Sequence, residues 1–377
     1  MPLAGFVDTL CVVLKDEPMA PHDEAKNECS PRQVRTGPRL LIVRLSAMGD
    51  LVHGIPVLNA LRNAMPNAML GWVAEGRNAD LLEGHPALDL LIRVPRRWLK
   101  SPSAVWALRK ELRELRFDTT IDLQCLTKSA IAAWLTAAPR RIGYAGQLGR
   151  EASRWLHNEL VSVEAVHVID RYLALLKPLG IEDPTVAFHL PERPEDTRFA
   201  ESTLQQLGLT AGGFAIVNPG AGWASKRWPP ERYGQLARSL ATQHGLATLA
   251  VWGGPTELPL AQEIVAQSGA AQVAPATTMT QLASLARRAA VFVGSDTGPL
   301  HLAVAVGTRC VSLHGTSLAE QTGAYGPRNR RLQVRYDDSR GKRRHGDDSA
   351  MRAIDVDMVL ASCAEVLADA QPMTRSA

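Results

Sequence analysis

Two successive series of alternating strand and helix patterns, joined by a proline-rich charged segment, constrain the fold of this chain more than any other feature. The first series begins at Arg39 and the second begins at residue 214. Short apolar runs that alternate with helical patterns are typical of parallel strands covered by helices. We therefore predict an α/β protein with two doubly wound domains that face a central cleft. In such sheets ligands bind beyond the carboxyl ends of the strands, so the loops after the strands are the candidate sites.

The individual elements follow from the same patterns. Buried apolar runs predict strands at 39–45, 69–74, 88–94, 117–123, 141–145, 157–163, 214–218, 247–252, 271–274, 290–295 and 309–313. Helical periodicity predicts helices at 50–64, 102–116, 166–179, 230–243, 257–267, 278–289, 298–306 and 355–369. We expect the last of these helices to pack back onto the first domain.

The length of 377 residues, 46% of them hydrophobic, suits two domains with separate cores. Residues 1–37 mix prolines and charges without a period, and we expect a poorly ordered extension there. Residues 181–197 contain three prolines and are predicted to link the domains. The two domains then span 38–190 and 198–354, and residues 355–377 form a C-terminal helix and tail.

Several classes of protein are disfavoured by the composition. No apolar run reaches the length of about 18 residues that a membrane span needs, and the N-terminus lacks the pattern of a secretory signal, so we predict a cytoplasmic protein. The five cysteines are widely spaced without a CxxC pair, which fits neither a disulfide framework nor a zinc site. No DxD-like motif ends a strand, and we expect no metal, no cofactor and no nucleic-acid partner.

The positive charge is concentrated in the first half of the chain. Residues 93–116 carry eight lysines and arginines against two glutamates. A local excess of one sign favours an anionic partner. A solvated helix face is the alternative and fits Arg109, Lys110 and Arg113 well. For Arg96, Arg97 and Lys100, which follow a strand, both interpretations stand.

The first candidate loop runs from Ser46 to Asp50, between a strand and a helix. Asp50 at the helix start has two interpretations. It is either a first-turn acid that satisfies helix N–H groups, or a general base facing the cleft, which the helix N-terminus would keep ionised. Gln124 and Lys128 follow the strand at 117–123 and are expected at the same sheet edge as Asp50.

Two loops of the second domain have features of a nucleotide site. The glycine-rich loop at 218–229 lets the backbone approach a ligand closely and supplies the cation Lys226, which suits a diphosphate. A surface turn with a solvated lysine is the alternative. In the loop at 252–257, Glu257 can accept hydrogen bonds from ribose hydroxyls. It is otherwise a helix-start carboxylate.

The last loop of the second domain carries the strongest pattern. Asp296 or Thr297 caps a helix, and Gly298 permits close approach to a ligand. The backbone N–H groups at 297–299 then point toward a bound anion, which the helix dipole also favours. His301 lies one turn into the helix, with a half-buried structural histidine as the alternative interpretation.

Taken together, these motifs match a known family. The chain resembles glycosyltransferase family 9, the ADP-heptose:lipopolysaccharide heptosyltransferases, over residues 39–340. The motifs that carry the resemblance are SAMGD (46–50), DLQ with KS (122–129), RIGY (141–144), KRWP (226–229), WGGPxE (252–257) and SDTGPLH (295–301). Their order and spacing also agree with the family.

The resemblance implies a GT-B fold with an N-terminal acceptor domain and a C-terminal donor domain, both Rossmann-like. It implies that Asp50 is the general base in a transfer that inverts the anomeric carbon of ADP-L-glycero-D-manno-heptose. Lys226 matches the lysine that contacts the donor diphosphate, and Glu257 matches the acid that holds the ribose. The remaining donor contacts match the phosphate- and sugar-binding loop formed by Asp296, Thr297, Gly298 and His301.

The acceptor side resembles heptosyltransferase I of this family. The run from Arg96 to Lys100 is similar to a basic stretch that holds the anionic Kdo sugars there, and Lys128 and Arg150 align with further acceptor contacts, beside Gln124. The implied acceptor is Kdo-lipid A, with peripheral contact to the inner membrane. The basic segment at 340–345 has no counterpart in the family and is either a membrane-facing loop or a solvated one.

Three other functions stay open. The chain can be heptosyltransferase II or another ADP-sugar transferase of the same family. A nucleotide-dependent dehydrogenase or epimerase is a second alternative, disfavoured because neither domain has GxGxxG after its first strand. A nucleotide-sensing protein on the same scaffold would bind ADP without transfer.

Overall fold

A computed structural model describes residues 35–337 and 347–368 of this chain. The expected extension at 1–37, except its last three residues, and the basic segment at 340–345 lie outside the described residues. The described residues form two compact units. The first unit comprises 35–46, 60–163 and 177–181, and the second comprises 47–59, 164–176, 182–337 and 347–368.

The first unit is built on a six-stranded parallel sheet. Its strands are β1 (Arg39–Val43), β2 (Met69–Glu75), β3 (Leu90–Val94), β4 (Thr119–Asp122), β5 (Arg140–Tyr144) and β6 (Glu159–Val161). Their spatial order is β3-β2-β1-β4-β5-β6. The chain therefore reverses direction across the sheet between β1 and β4, and the loops that follow these two strands lie at the switch point where ligands of such sheets bind.

The second unit repeats the same topology. Its strands are β7 (Phe214–Asn218), β8 (Ala247–Ala250), β9 (Ala271–Val273), β10 (Val291–Ser295), β11 (Cys310–Leu313) and β12 (Arg330–Leu332). They are parallel in the order β12-β11-β10-β7-β8-β9. The switch point lies between β7 and β10. Two parallel doubly wound sheets confirm the predicted α/β fold class.

The helices surround these sheets. In chain order they are α1 (Met48–Ala64), α2 (Pro102–Glu114), α3 (Thr127–Leu135), α4 (Ser153–Leu156), α5 (Val168–Ala174), α6 (Pro194–Leu207), α7 (Pro230–His244), α8 (Leu258–Ser268), α9 (Met279–Arg288), α10 (Gly298–Ala305), α11 (Ala319–Thr322), α12 (Ser349–Arg352) and α13 (Val356–Ala368). Helix α1 belongs to the second unit as far as Asn59.

Each sheet has its own apolar core. In the first unit, Leu41 and Val43 of β1 pack with Leu108 and Leu112 of α2 and with Ala133 of α3. In the second unit the core joins strands β7, β10 and β11 to helices α7, α8 and α13. Burial of the strands on both faces explains why they appear in the sequence as continuous apolar runs rather than as alternating patterns.

One expectation about the helices is wrong, and one helix was not predicted. The helix predicted at 355–369 was expected to pack on the first domain, but α13 buries Val359, Cys363 and Val366 in the core of the second unit. The segment predicted as a linker at 181–197 ends in α6. Pro194 and the acids that follow it favour a helix start there.

The described residues contain no helix long and apolar enough to cross a membrane. Their cysteines, Cys125, Cys310 and Cys363, are buried free thiols. Burial raises the pKa of the Cys363 thiol to about 12, so this group stays protonated and unreactive at neutral pH.

Candidate active site

A chain of charged groups occupies the switch point of the second sheet. Lys226 follows β7, and its Nζ donates a hydrogen bond of 2.7 Å to Oδ2 of Asp296, which follows β10. Oδ1 of Asp296 lies 3.0 Å from Nε2 of His301, one turn into α10. The structure thus brings together three of the residues that the sequence predicts for donor binding, although up to 75 residues separate them in the chain.

The electrostatics of this cluster fix the protonation state of Asp296. Burial opposes the charged form, but the hydrogen bond from His301 and the charge of Lys226 outweigh it and hold the pKa of the carboxyl well below its usual value. The carboxylate therefore accepts the Nε2–H of His301 and the Nζ–H of Lys226. An ionised carboxylate repels phosphate, so Asp296 is not expected to contact a diphosphate directly. Its hydrogen bonds instead hold the side chains of Lys226 and His301 in position.

The start of α10 lies beside this cluster. Thr297 is its N-cap, and Oγ1 of Thr297 accepts a hydrogen bond of 3.1 Å from Nδ2 of Asn218 at the end of β7. The first N–H groups of an α-helix have no partner within the helix. The prediction that the backbone N–H groups of 297–299 bind an anion is wrong at one position, because Pro299 has no N–H. The N–H that follows it in the first turn of α10 is that of Leu300.

Glu257 connects the loops that follow β7 and β8. Its Oε2 accepts a hydrogen bond of 2.8 Å from the N–H of Gly253. A Cβ atom at Gly220 would collide with the same carboxylate, so a side chain there would force Glu257 to move. The residue occupies the N-cap position of α8 without a side-chain cap. Glu257 therefore lies at the carboxyl edge of the sheet, as the ribose-binding prediction requires, and its contact with ribose stays a prediction.

Asp50 lies in the first turn of α1 and belongs to the same unit as Lys226 and Asp296. Its Oδ2 accepts a hydrogen bond of 3.2 Å from the N–H of Ala47, which is the helix-start role that the sequence offered as one interpretation. The neighbouring Gly49 packs against α10, because a Cβ atom there would lie 2.8 Å from Cδ2 of His301. The start of α1 and the start of α10 are thus in contact, and the base role of Asp50 stays a prediction.

We expect Gly49→Ala to destabilise the protein by about 1–3 kcal/mol or to displace His301, because the new methyl group would meet a buried imidazole ring. Thermal unfolding and ADP affinity measure the two effects. Gly298→Ala is the matched control for stability, since its Cβ would come no closer than 3.7 Å to the protein. Equal Tm values and equal ADP affinity for Gly49→Ala and wild type would contradict the tight packing.

Sequence reasoning missed an aromatic cluster that extends from His301. The ring of His53 in α1 lies 4.1 Å from that of His301, and the ring of His167 lies 6.0 Å from His53. Tyr325 packs on His167 at 4.8 Å and donates a hydrogen bond of 2.7 Å to Asp170. These residues come from distant parts of the chain. Their only sequence signal is the position of His53 one turn after Asp50 on the same helix.

His314, directly after β11, is a second residue that sequence reasoning missed. It is fully buried, and its Nε2 has no hydrogen-bond partner among the described residues, while Nδ1 lies 3.3 Å from Oγ of Ser317. Burial lowers the pKa of His314 to about 4, although the charge of Asp296 acts in the opposite direction. The imidazole is therefore neutral at pH 7.

We expect the free energy of unfolding to fall as the pH decreases from about 6.5 to 4, because His314 takes up a proton in the unfolded chain but not in the folded protein. The shift of the pKa corresponds to at most about 3 kcal/mol. His167, whose pKa burial also lowers, contributes in the same direction. Urea unfolding at pH 4.5 and 7.5 should show a smaller pH dependence for His314→Leu than for wild type. An identical dependence would contradict a buried neutral His314.

The predicted acceptor residues gather at the carboxyl edge of the first sheet. Lys128, after β4, donates hydrogen bonds to Oγ of Ser46 at 2.8 Å and to Oε2 of Glu75 at 3.1 Å. Arg96 and Lys100, in the loop after β3, are exposed. The same Glu75 accepts a hydrogen bond from the backbone N–H of Arg97 in that loop. Glu75 therefore joins the loop after β3 to Lys128 after β4.

The other two acceptor predictions differ in their surroundings. Arg150 is exposed, and its backbone N–H donates to the carbonyl of Cys125 at 3.3 Å, so it lies next to the loop after β4. Gln124 is buried, and its Oε1 accepts a hydrogen bond of 3.0 Å from the N–H of Leu45. The structure gives Gln124 a role in holding the loop after β1, and its contact with acceptor stays a prediction.

A buried group of potential metal ligands occurs in the first unit, although the sequence predicts none. Single ligand atoms of Asp122, Cys125 and His157 lie within 4.8 Å of one another. The carboxylate of Asp122 already accepts hydrogen bonds from the N–H groups of Gln124 and Cys125 and from Oγ of Ser129. These hydrogen bonds give Asp122 a structural role, because they hold the loop after β4 in place. No spacing in the sequence indicates the group, because His157 comes from after β5.

Comparison with known proteins identifies a family and a fold. The sequence profile of Glycosyltransferase family 9 (heptosyltransferase) matches residues 105–349. Lipopolysaccharide heptosyltransferase 1 from Pseudomonas aeruginosa is 29% identical over 300 residues, which cover 76% of this chain and 81% of the relative. The glycosyl transferase family 9 structure from Veillonella parvula superposes with a TM-score of 0.74 at 22% identity, covering 90% of this chain and 99% of that one.

A structure of the E. coli heptosyltransferase WaaC with ADP superposes with a TM-score of 0.67 at 23% identity, covering 88% of this chain and 99% of that one. These likenesses confirm the GT-B fold with two Rossmann-like domains. Because the family profile covers more than half of the chain, membership follows from sequence as well as from fold. The chain belongs to glycosyltransferase family 9, the heptosyltransferase family, and is a glycosyltransferase.

Proposed function

We propose that this protein transfers heptose from ADP-L-glycero-D-manno-heptose to the Kdo region of the lipopolysaccharide inner core, with inversion at the anomeric carbon. The observation that carries the proposal is the partly buried network of Lys226, Asp296 and His301 beside the start of α10, in the same unit as Asp50. The names of the relatives point the same way, since the Pseudomonas protein is lipopolysaccharide heptosyltransferase 1 and WaaC was solved with ADP.

The donor side supplies a positive field for a diphosphate. Lys226 is held by the carboxylate of Asp296, and the first N–H groups of α10 add the positive end of a helix dipole. Such groups are already oriented before the reaction, so they stabilise the charge that develops on departing ADP at little further cost. Glu257, at the same sheet edge, would accept hydrogen bonds from the ribose.

The reaction that we propose is a single displacement. Asp50 takes the proton of an acceptor hydroxyl while the oxygen forms a bond to the anomeric carbon of heptose. The bond between that carbon and the β-phosphate oxygen breaks, and ADP leaves with the electron pair. Lys226 and the N–H groups of α10 stabilise the new negative charge on ADP. The proton ends on the carboxylate of Asp50 and then passes to water.

The acceptor side favours an anionic substrate. Arg96, Lys100, Lys128 and Arg150 follow β3, β4 and β5 at the carboxyl edge of one sheet, and arginine pairs well with carboxylates and phosphates. Kdo carries a carboxylate and lipid A carries phosphates. We therefore propose Kdo-lipid A as the acceptor and the cytoplasmic face of the inner membrane as the place of reaction.

A transfer assay with ADP-heptose and Kdo-lipid A tests the donor, the acceptor and the class of reaction together. We expect formation of heptosyl-Kdo-lipid A and release of ADP in equal amounts. Transfer only to an acceptor that already carries a heptose would replace the heptosyltransferase I assignment with heptosyltransferase II. Binding of ADP without transfer to either acceptor would overturn the proposal in favour of a nucleotide sensor.

A further inference from the structure

Three tryptophans on the outside of the first unit have no role in the proposed chemistry. Trp106 in α2, Trp134 in α3 and Trp155 in α4 are 65%, 49% and 73% exposed. The other two tryptophans of this unit, Trp72 and Trp98, are buried. Large aromatic side chains are seldom left this exposed without a function, and exposed aromatic patches commonly mark interaction sites.

The three tryptophans lie on one layer of helices. Helices α2 and α3 share a core against one face of the first sheet, and α3 contacts α4. Each helix buries its inner side, for example Leu108 and Leu112 in α2. Trp106, Trp134 and Trp155 are thus exposed residues on three helices that follow one another in contact, α2 against α3 and α3 against α4.

A basic side chain lies near two of the three rings. Nζ of Lys110 lies 5.9 Å from the ring centre of Trp106, and the guanidinium of Arg154 lies 5.1 Å from that of Trp155. Within the segments 102–116 and 151–156 the exposed charged residues are five basic and two acidic. The basic ones are Arg109, Lys110, Arg113, Arg116 and Arg154. We call these side chains and the three tryptophans the tryptophan surface.

We propose that the tryptophan surface docks on the headgroup layer of an anionic lipid bilayer. Indole rings prefer the interface between headgroups and acyl chains, and lysines or arginines beside them reach lipid phosphates. Indole rings with cations beside them suit a layer whose acyl chains are apolar and whose headgroups are anionic. This proposal rests on the proposed function, because an enzyme whose acceptor is anchored in a membrane has to work at that membrane.

The test measures binding of the full chain to vesicles of phosphatidylcholine with phosphatidylglycerol at 3:1 and to vesicles of phosphatidylcholine alone, by co-sedimentation. We expect binding to the anionic vesicles and quenching of tryptophan fluorescence by brominated lipid. The combined variant Trp106→Ala, Trp134→Ala and Trp155→Ala should lower the affinity about tenfold or more and remove most of the quenching. These positions are exposed, so the variant is expected to fold.

Charge is tested separately. Arg109→Gln, Lys110→Gln and Arg113→Gln together should weaken binding to anionic vesicles by about fivefold for each cation removed, and should not change binding to phosphatidylcholine. The matched control removes three exposed cations elsewhere, Lys177→Gln, Arg198→Gln and Arg328→Gln. A second control truncates exposed apolar residues, Val334→Ala with Met358→Ala. Both controls should bind like wild type.

Four results would overturn the proposal. The first is that the wild-type protein does not bind anionic vesicles, and the second is that the tryptophan variant binds them as well as wild type. The third is that the control variants lose as much vesicle affinity as the test variants. The fourth is that the protein self-associates and the tryptophan variant abolishes this self-association without a change in vesicle binding. The last result would make a second copy of this chain the occupant. Transfer to a Kdo acceptor without acyl chains is measured in parallel. If that transfer fails while vesicle binding persists, only the proposed function falls.

Discussion

Asp50→Asn is expected to lower kcat for heptose transfer by roughly 10²- to 10⁴-fold, the usual cost of removing a general base. The asparagine side-chain oxygen can still accept the hydrogen bond from the N–H of Ala47, so the start of α1 should be preserved. Donor affinity should change little, because the amide keeps the size of the carboxylate. Steady-state kinetics with saturating ADP-heptose and a titration of ADP binding measure the two quantities.

The control for this prediction is Asp355→Asn. Oδ1 of Asp355 accepts a hydrogen bond of 2.8 Å from the N–H of Met358, so this carboxylate also stabilises a helix start. It lies at α13, which has no part in the proposed chemistry. If Asp50 acted only as a helix-start acid, both variants would lose a little stability and keep their turnover. Near-normal kcat in a folded Asp50→Asn variant would reject its role as the base.

Lys226→Gln is expected to weaken ADP binding roughly 10- to 100-fold, since hydrogen bonds to charged groups contribute about 1.5–3 kcal/mol. The same variant should lower kcat, because the positive charge that stabilises the leaving diphosphate is removed. Glutamine can still donate a hydrogen bond to the buried carboxylate of Asp296, which limits the loss of stability. Calorimetric titration with ADP and kinetics at varied donor concentration measure both effects.

Lys177→Gln is the matched control, because Lys177 is exposed and lies in the first unit. Lys226→Arg keeps the charge and should recover part of the affinity, whereas a longer guanidinium cannot reproduce the geometry of the ion pair with Asp296. Unchanged ADP affinity in Lys226→Gln would remove this lysine from the donor site. Such a result would leave only the helix start of α10 to hold a diphosphate.

Local pattern was sufficient for most of the fold. The apolar runs at 39–45 and 290–295 predict β1 and β10 because strands buried on both faces require continuous apolar sequence. Pattern failed where the signal was short or mixed. Strand β12 (Arg330–Leu332) is only three residues long and carries two arginines, so no apolar run marks it. Helix α6 begins inside the proline-rich segment, where Pro194 suggests a linker although it is well suited to the first turn of a helix.

At the candidate site, too, local pattern predicted some features and not others. Lys226, Glu257 and His301 were predicted because each follows a strand in a loop rich in glycine or cap residues. The partners of these residues were not predictable. That Asp296 binds Lys226, and that the ring of His53 packs against His301, depends on side chains that are 70 or more residues apart in the chain.

The amino-acid sequence by itself determined the two β/α series, the loops at the ends of the strands and the motifs of family 9. These are local properties, since backbone propensity, apolar periodicity and glycine placement act over a few residues. Only the tertiary structure decided that Gly49 meets His301, that Asp296 is ionised between a lysine and an imidazole, and that three tryptophans stay outside. Those outcomes depend on burial and on long-range packing, which no local pattern encodes.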